Sequence, residues 1–228
     1  MVDVRGVTGV STVTRLDSDD AWRALRLQRD GALFTSEWLT GLALEGRVYV
    51  ANAGTGTAPI SFAALYTNTA PDLDVSVPAG TLVIPIALHV QIETFGSTLL
   101  AEIVAAIGTG GVIAPTSATA VTPRNLRADA PYTSGCTIVS DGTGATYPTG
   151  NVYEFWRDGQ DKVVTIATAV DTSPRGGCSF RWSAFQSGIW PIMYSASAIT
   201  RLNVFASVQT GTGFITLTYI ELPVAAIG

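Results

Sequence analysis

The sequence predicts an all-β protein, an antiparallel β-sandwich that follows a short N-terminal arm. Three observations favour this fold class. From Arg47 onward, short runs rich in Val, Ile, Thr and aromatic residues recur, separated by Gly, Pro, Asn, Asp and Ser. Several runs alternate with a period of two, the periodicity of a strand with one buried face. No helical segments alternate with these runs, which argues against a βαβ architecture.

The N-terminal arm is predicted to span residues 1–46 and to contain two short helices. The first is expected over Ser18–Arg29, because acidic and Ser residues at its start suit the positive end of a helix. The second is expected over Ser36–Leu44 and ends at Gly46. Its apolar face is formed by Trp38, Leu39 and Leu42.

The sandwich is predicted to span residues 47–228. The candidate strands in chain order are Arg47–Ala53, Pro59–Thr67, Leu73–Val77, Thr81–Glu93, Leu99–Ile107, Thr133–Val139, Asn151–Arg157, Lys162–Ala167, Cys178–Gln186, Ile189–Tyr194, Arg201–Gln209 and Gly213–Glu221. A single block of strands fits a sandwich, and the jelly roll is the common eight-stranded version.

Three segments of this block need separate interpretation. Leu99–Ile107 contains good helix formers, but its context and its glycine-rich end favour a strand. The Thr-, Ala- and Pro-rich stretch Ala114–Asp129 is interpreted as a long crossover loop rather than as an interdomain linker. The turn Thr210–Gly213 predicts an antiparallel hairpin between the last two strands.

The composition indicates a protein that covers part of its surface with other subunits. Only 14% of the 228 residues are charged, against about 25% in an average globular protein. Apolar residues make up 47%, so a free subunit would expose a weakly polar surface. The mean hydropathy is +0.33, but no window approaches ~20 consecutive apolar residues, and we expect no membrane span.

The charge distribution argues against direct nucleic-acid binding. The net charge is −5, Lys162 is the only lysine, and the twelve arginines are scattered along the chain. Neutralising several phosphates at once requires a cluster of basic residues, which the sequence lacks.

The two cysteines leave two interpretations open. Cys136 and Cys178 are 42 residues apart and form no C-x-x-C motif, which excludes a metal knuckle. They are either two buried thiols or a disulfide that forms in an oxidising environment.

The sequence offers no convincing catalytic constellation. His89 is the only histidine, and its apolar strand predicts a place on a sandwich face or at a subunit contact. Nucleophilic catalysis needs a nucleophile with a base beside it. The acid pairs Glu93 with Glu102 and Glu154 with Asp158 are of the kind that glycosidases use, but such pairs occur in any β-protein. We therefore predict no catalytic residues and no enzymatic activity.

Metal, cofactor and ligand sites are not predicted either. The acidic cluster Asp17–Asp20 lacks the spacing of a calcium loop, and a helix N-terminus explains it better. The glycine clusters lack the residues that complete a phosphate loop. Five tryptophans are expected in the core and at interfaces. If the protein binds sugars instead, the exposed rings to inspect are Trp156, Tyr147 and Tyr153.

The C-terminal third carries a resemblance to a known class of proteins. Ile189-Trp190-Pro191, a Ser/Ala-rich connector, Leu202–Val208 and Phe214–Leu222 follow one another. This succession resembles the closing strands of virus and phage structural proteins with a jelly-roll or tumour-necrosis-factor-like sandwich. The segments Asp30–Thr35 and Leu42–Arg47, with Trp38 between them, are similar in style to the N-terminal part of phage virion proteins.

The resemblance implies a structural virion protein, either a self-assembling capsid subunit or a capsid-decorating one. Its subunits would associate as trimers or pack edge to edge in a shell, together with other virion proteins. The alternative is a carbohydrate- or receptor-binding β-sandwich of a fibre or spike. A β-sandwich hydrolase that uses Glu93, Glu102 or Glu154 ranks third.

Overall fold

The computed structural model describes residues 38–63, 69–94, 100–110, 115–130, 132–145, 148, 150–161, 178–195, 199–207 and 211–223. These residues form thirteen strands and two short helices. In chain order they are α1 (Trp38–Leu44), β1 (Val48–Ala53), β2 (Ile60–Ser61), β3 (Leu73–Val77), β4 (Thr81–Thr94), β5 (Leu100–Thr109), β6 (Thr119–Ala120), β7 (Arg124–Asn125), β8 (Thr137–Ser140), β9 (Gly150–Asp161), β10 (Ser179–Ser183), α2 (Ala184–Ser187), β11 (Met193–Ser195), β12 (Thr200–Ser207) and β13 (Thr212–Pro223).

The strands form two antiparallel sheets, which confirms the predicted all-β sandwich. The first sheet has the order β10-β4-β13-β1-β7, with β11 also paired to β4 and β2 to β13. The second sheet has the order β6-β8-β3-β12-β5-β9. The short strands β7 and β8 extend the two sheets beside β1 and β3.

The eight main strands have the pairing of a jelly roll. In chain order they are β1, β3, β4, β5, β9, β10, β12 and β13. The first pairs with the eighth, the second with the seventh, the third with the sixth and the fourth with the fifth. This nesting is that of one long antiparallel ribbon rolled into two sheets, the double Greek key of a jelly roll.

The core lies between the sheets and follows the alternation in the sequence. Ile215, Leu217 and Tyr219 of β13 face inward and are essentially fully buried. Leu202 and Val204 do the same from β12 in the other sheet. Each large apolar side chain buried in this way contributes about 1.5–3 kcal/mol, so these inward-facing rows are a substantial part of the packing.

Helix α1 lies on the outer face of the first sheet. Its Leu39 and Leu42 pack on a small cluster that contains Val48 and Ile220. The helix ends at Leu44, and the turn after it closes at Gly46, whose φ of 72° is the left-handed conformation that glycine adopts without strain. The second predicted helix is thus confirmed from Trp38 onward. The first lies outside the described residues, and the division into arm and sandwich stays a prediction.

The predicted hairpin between the last two strands is wrong. β12 belongs to the second sheet and β13 to the first, so the chain crosses between sheets instead of turning back beside itself. Gly213 lies inside β13, at a shift in its register with β4. A Cβ atom there would lie 2.1 Å from the carbonyl oxygen of Gln91. This glycine therefore permits a close approach of two strands.

The predicted strands Cys178–Gln186 and Ile189–Tyr194 are corrected by the structure. β10 ends at Ser183, and the chain then leaves the sheet edge in an excursion over residues 184–192, which begins with α2, before β11 resumes the pairing. On β4, β10 pairs up to Ala87 and β11 starts opposite Val83. Pro85 lies in that gap, and it has no N–H to donate to a ladder.

The remaining strand predictions differ in how much the structure confirms. Of Leu99–Ile107, residues 100–107 are strand, within β5, and Leu99 lies outside the described residues. The described part of the crossover stretch Ala114–Asp129 carries the short strands β6 and β7. Thr133–Val139 is strand only from Thr137, as β8. Of Pro59–Thr67, Ile60–Ser61 is strand and residues 64–67 lie outside the described residues, as does Lys162–Ala167.

Asp72 is a buried carboxyl group just before β3 that links the segment after β2 to β12 of the second sheet. Its Oδ1 accepts the Ala63 N–H at 2.7 Å, and its Oδ2 accepts the Ala206 N–H at 2.6 Å. Its own N–H donates to the carbonyl of Val204. Burial raises the pKa of Asp72 from 3.8 to about 7, since the two N–H donors only partly offset the loss of hydration.

We expect the free energy of unfolding to fall as the pH rises from about 4 to about 7. In this window folded Asp72 retains a proton that the unfolded chain has released, so rising pH favours unfolding, by up to about 4 kcal/mol in total. Above pH 7 this contribution is constant. Urea unfolding at several pH values measures this decrease in the free energy of unfolding. Asp72→Asn should lower the stability and remove most of the slope; an unchanged slope would contradict this role.

A second buried polar group lies on the outer face of the second sheet. The guanidinium Nη1 of Arg201 (β12) lies 3.2 Å from Asp74 Oδ1 (β3), and both side chains are 3% exposed. Asn203 Nδ2 and Ser76 Oγ also donate to the Asp74 carboxylate, at 2.8 and 3.2 Å. Burial raises the pKa of Asp74 in spite of Arg201. The ion pair therefore only partly offsets the cost of desolvating this carboxylate.

Candidate functional site

The most prominent surface feature is a group of exposed aromatic rings beside the β10 edge of the first sheet. Trp38 of α1 lies 5.6 Å from Trp190 and 6.2 Å from Phe185, measured between ring centroids. Phe185 and Trp190 meet edge to face at 4.8 Å and 80°. The three side chains are 44%, 37% and 52% exposed in the order Trp38, Trp190, Phe185. They touch one another and still face solvent.

Two isoleucines of the excursion extend this surface. Ile189 is 46% exposed and Ile192 is 57% exposed. We call Trp38, Phe185, Ile189, Trp190 and Ile192 the aromatic patch. At about 200 Å² per large side chain, their exposed fractions correspond to roughly 470 Å² of apolar surface. This is within the ~300–600 Å² of the largest patch on a typical monomer, a patch that is often functional.

The excursion is held at both ends, which positions the patch. Ala184 and Met193 are fully buried and anchor its start and its return to the sheet. Gly188 ends α2 with a φ of 69°, and its N–H donates to the carbonyl of Ala184. The hydroxyl Oγ of Ser187 accepts the Ile189 N–H at 3.2 Å. The exposed rings are therefore presented by an ordered turn.

The patch is also free of charge. In the sequence, the 19 residues between Arg181 and Arg201 include no Asp, Glu, Lys, Arg or His, and neither does α1. Charged residues are depleted, and Trp, Tyr, Phe and Met enriched, in the cores of protein interfaces. The composition of the patch therefore matches an interface core.

A row of polar side chains crosses the outer face of the same sheet. Asn52, Thr216, His89 and Arg181 lie side by side on β1, β13, β4 and β10. Thr216 Oγ1 donates to Asn52 Oδ1 at 2.9 Å. Partial burial, with a smaller contribution from Arg181, lowers the pKa of His89. The histidine is thus on a sheet face and uncharged at neutral pH.

The acids considered for hydrolysis are exposed or engaged in contacts at the surface. Glu102 and Glu154 both bind the exposed guanidinium of Arg157, which lies 2.8 Å from Glu154 Oε1. Asp158 Oδ1 accepts the N–H of the following glycine at 2.8 Å. Glu93 is an exposed residue near the end of β4. The arrangement of Glu102, Glu154 and Arg157 favours a surface ion-pair network.

The rings considered for sugar binding differ in their exposure. Trp156 is half-buried and packs against the main core. Tyr153 is 38% exposed on β9. Tyr147 lies outside the described residues. These positions do not supply the exposed aromatic group, which Trp38, Phe185 and Trp190 form instead.

Both cysteines are buried, free thiols, so the disulfide interpretation is not the one in this structure. Burial, with Glu221 nearby, raises the pKa of Cys136 to about 12. The thiol of Cys178 donates to Gln160 Oε1 at 2.6 Å. A thiol with a raised pKa is a poor nucleophile at neutral pH.

A small cavity of about 160 Å³ lies beside Arg47, Tyr132 and Glu221. The Arg47 guanidinium lies 5.2 Å from the centroid of the Tyr132 ring. The two carboxylate oxygens of Glu221 accept the Gly135 N–H at 2.9 Å and the Ser134 hydroxyl at 2.6 Å. Ligand pockets usually measure ~300–1,000 Å³. These groups are engaged in holding the segment before β8 against β13.

Within the described ranges, no three His, Cys, Asp or Glu residues are grouped in a way that would hold a metal ion. Neither described helix has the length and hydrophobicity to cross a membrane. Comparison with protein-family models, curated proteins and solved structures finds no match to this chain.

The aromatic patch was not predicted as a site. Tryptophans were expected in the core and at interfaces, and Ile189–Tyr194 was predicted to be a strand. The signal that could have indicated the patch is the uncharged stretch between Arg181 and Arg201, in which Phe185 and Trp190 are exposed although Trp182 is buried.

Proposed function

We propose that this chain is a structural virion protein, a self-assembling jelly-roll subunit that forms a capsid or decorates one. In this proposal it has no enzymatic activity, and its partners are copies of itself and other virion proteins. The jelly roll supports the proposal because viral capsid domains use it, although lectin domains and cupins use it too.

The observation that carries the proposal is the aromatic patch. A charge-poor chain that presents contiguous exposed rings without a single charge has the properties of an assembly subunit. The described carboxyl groups with raised pKa values, Asp72 and Asp74, are both engaged inside the fold. Both carboxyl groups therefore act as contacts between strands.

The second candidate is a carbohydrate- or receptor-binding module, and the exposed Trp38 and Trp190 rings favour it, since such rings stack on sugars. Specific sugar sites also need a few well-placed polar groups beside the rings. The patch has no charged side chain, which favours assembly. A glycan array separates the two: binding that Trp190→Ser abolishes would support the module.

Self-association of the full chain is the direct test of the proposal. We expect light scattering coupled to size-exclusion chromatography to give masses well above the 23.8 kDa of one chain at micromolar concentration. An apolar contact gains little from ionic attraction, so association should persist in about 1 M salt, where the Debye length is ~3 Å. A single monomeric species at all these concentrations would overturn the proposal.

A further inference from the structure

We infer that two copies of this chain meet through the aromatic patch, each patch packing against the same patch of the other copy about a two-fold axis. The inference rests on the proposed function, because it names the surface through which the subunit associates. Three observations carry it: the apolar area of the patch, its lack of charge, and the absence of a matching surface elsewhere on the described residues.

The apolar area of the patch is large enough to be the core of such a contact. Its five side chains expose roughly 470 Å², and a standard interface buries about 800 Å² per partner. Tyr194 and Ile199 follow the patch along the chain and are 46% and 43% exposed. With these residues and a polar rim, the surface reaches the size of a stable interface.

The absence of charge favours a second copy as the occupant. A two-fold contact places equivalent residues of both copies near one another, so any charge near the axis would face a like charge. The chain has a net charge of −5, and two copies therefore repel each other at long range. A patch without charged residues packs against itself without this penalty.

A contact between the patch and a different surface of the second copy would need a matching apolar surface. In the described residues outside α1 and residues 185–199, the exposed large hydrophobic side chains are Leu126, Tyr132, Val152 and Tyr153. Arg47 lies over the Tyr132 ring, and Glu154 follows Tyr153 on β9. The surfaces around Tyr132 and Tyr153 both carry a charge. The aromatic patch of a second copy is therefore the surface that fits the patch best.

Serine substitutions in the patch test the contact. We expect Trp190→Ser and Phe185→Ser each to weaken association by at least about 30-fold in dissociation constant, the effect of a hot-spot residue. Tyr153→Ser is the matched control, because Tyr153 and Trp190 are 38% and 37% exposed. Sedimentation velocity measures the association, and circular dichroism with thermal unfolding shows that each variant is folded.

A cysteine cross-link tests the symmetry. Gln186 is exposed within the excursion, and Thr119 is exposed on the other sheet. Both native thiols are buried. We expect a short bismaleimide to join two Gln186→Cys chains covalently, because a two-fold contact brings equivalent residues together, and to leave Thr119→Cys chains without a cross-link. Adding Trp190→Ser should prevent the Gln186→Cys cross-link.

The outcomes separate this inference from the proposed function. If the wild-type chain associates but Trp190→Ser and Phe185→Ser associate equally well, the patch is not the contact and only the inference fails. If the patch variants dissociate but Gln186→Cys does not cross-link, the two-fold geometry is wrong. If the wild-type chain stays monomeric, the inference and the proposed function fail together.

Discussion

Asp74→Ala is expected to lower the free energy of unfolding by about 3–5 kcal/mol, the usual effect of removing one partner from a buried ion pair. The substitution leaves the Arg201 guanidinium buried, 3% exposed, without its carboxylate. Asn203 also loses the acceptor of its side-chain N–H. Urea unfolding at a fixed protein concentration measures the change, because association would otherwise shift the midpoint.

An exposed ion pair of the same chain provides the control. Arg127 and Asp129 are 2.8 Å apart, with side chains 42% and 76% exposed. Exposed pairs contribute little to stability, so Asp129→Ala should leave the unfolding midpoint nearly unchanged. Equal effects of Asp74→Ala and Asp129→Ala would show that burial does not control the strength of the Asp74 contact.

Replacing Asp74, Arg201 and Asn203 together should lower the free energy of unfolding less than replacing Asp74 alone. Replacement of Asp74 by Leu, Arg201 by Met and Asn203 by Leu takes away both charges and the amide that depends on them. Buried ion pairs can often be exchanged for apolar residues of similar size with little loss of stability. We therefore expect the triple variant to be more stable than Asp74→Ala.

Gly213→Ala is the second substitution expected to have a large effect, a loss of about 1–3 kcal/mol or more. The added Cβ would lie 2.1 Å from the Gln91 carbonyl oxygen and 2.7 Å from the Phe62 ring. The first of these neighbours is a backbone atom of β4, which pairs with β13. The steric clash is therefore relieved only if the two strands move apart. Chemical denaturation checks the loss of stability.

Gly56→Ala is the matched control for this substitution. A Cβ at Gly56 meets no atom within 4 Å, and no positive φ is recorded there. The change should be neutral or slightly stabilising, because alanine reduces the entropy of the unfolded chain. If Gly213→Ala were as well tolerated as Gly56→Ala, the close approach of β13 and β4 would not be needed for folding.

The strands were predictable where alternation and turn residues agreed. Leu73–Val77 has the predicted bounds, and the alternating residues Ile215, Leu217 and Tyr219 of β13 face the core. Alternation is a local property that a strand retains wherever its partner lies. It therefore locates strands without assigning them to sheets.

The pairing of strands was less accessible to sequence analysis. A short Gly/Thr connection between β12 and β13 predicts a hairpin, but in a jelly roll these neighbours lie in opposite sheets. The decisive interactions are long-range, such as β1 with β13, and a local pattern does not contain them. Pro85 gave a local clue to the interruption between β10 and β11, since its missing N–H weakens the ladder there.

The patch was not predictable as a site for a related reason. Hydrophobic residues in Ile189–Tyr194 are compatible with a buried strand, and only the fold places Trp190 and Ile192 outward while Met193 points into the core. The contact of Trp190 with Trp38 joins segments about 150 residues apart in the sequence. Such a cluster exists only after folding.

Hydroxyl-radical footprinting of the wild-type chain over a range of concentrations tests the central claim that copies of this protein cover its exposed apolar surface. Dilute chains should be oxidised readily at Trp38, Phe185 and Trp190, and concentrated chains should be protected there, while Tyr153 reacts equally in both. Reactivity of the three rings that does not change with concentration, in a sample that remains folded, would contradict the account.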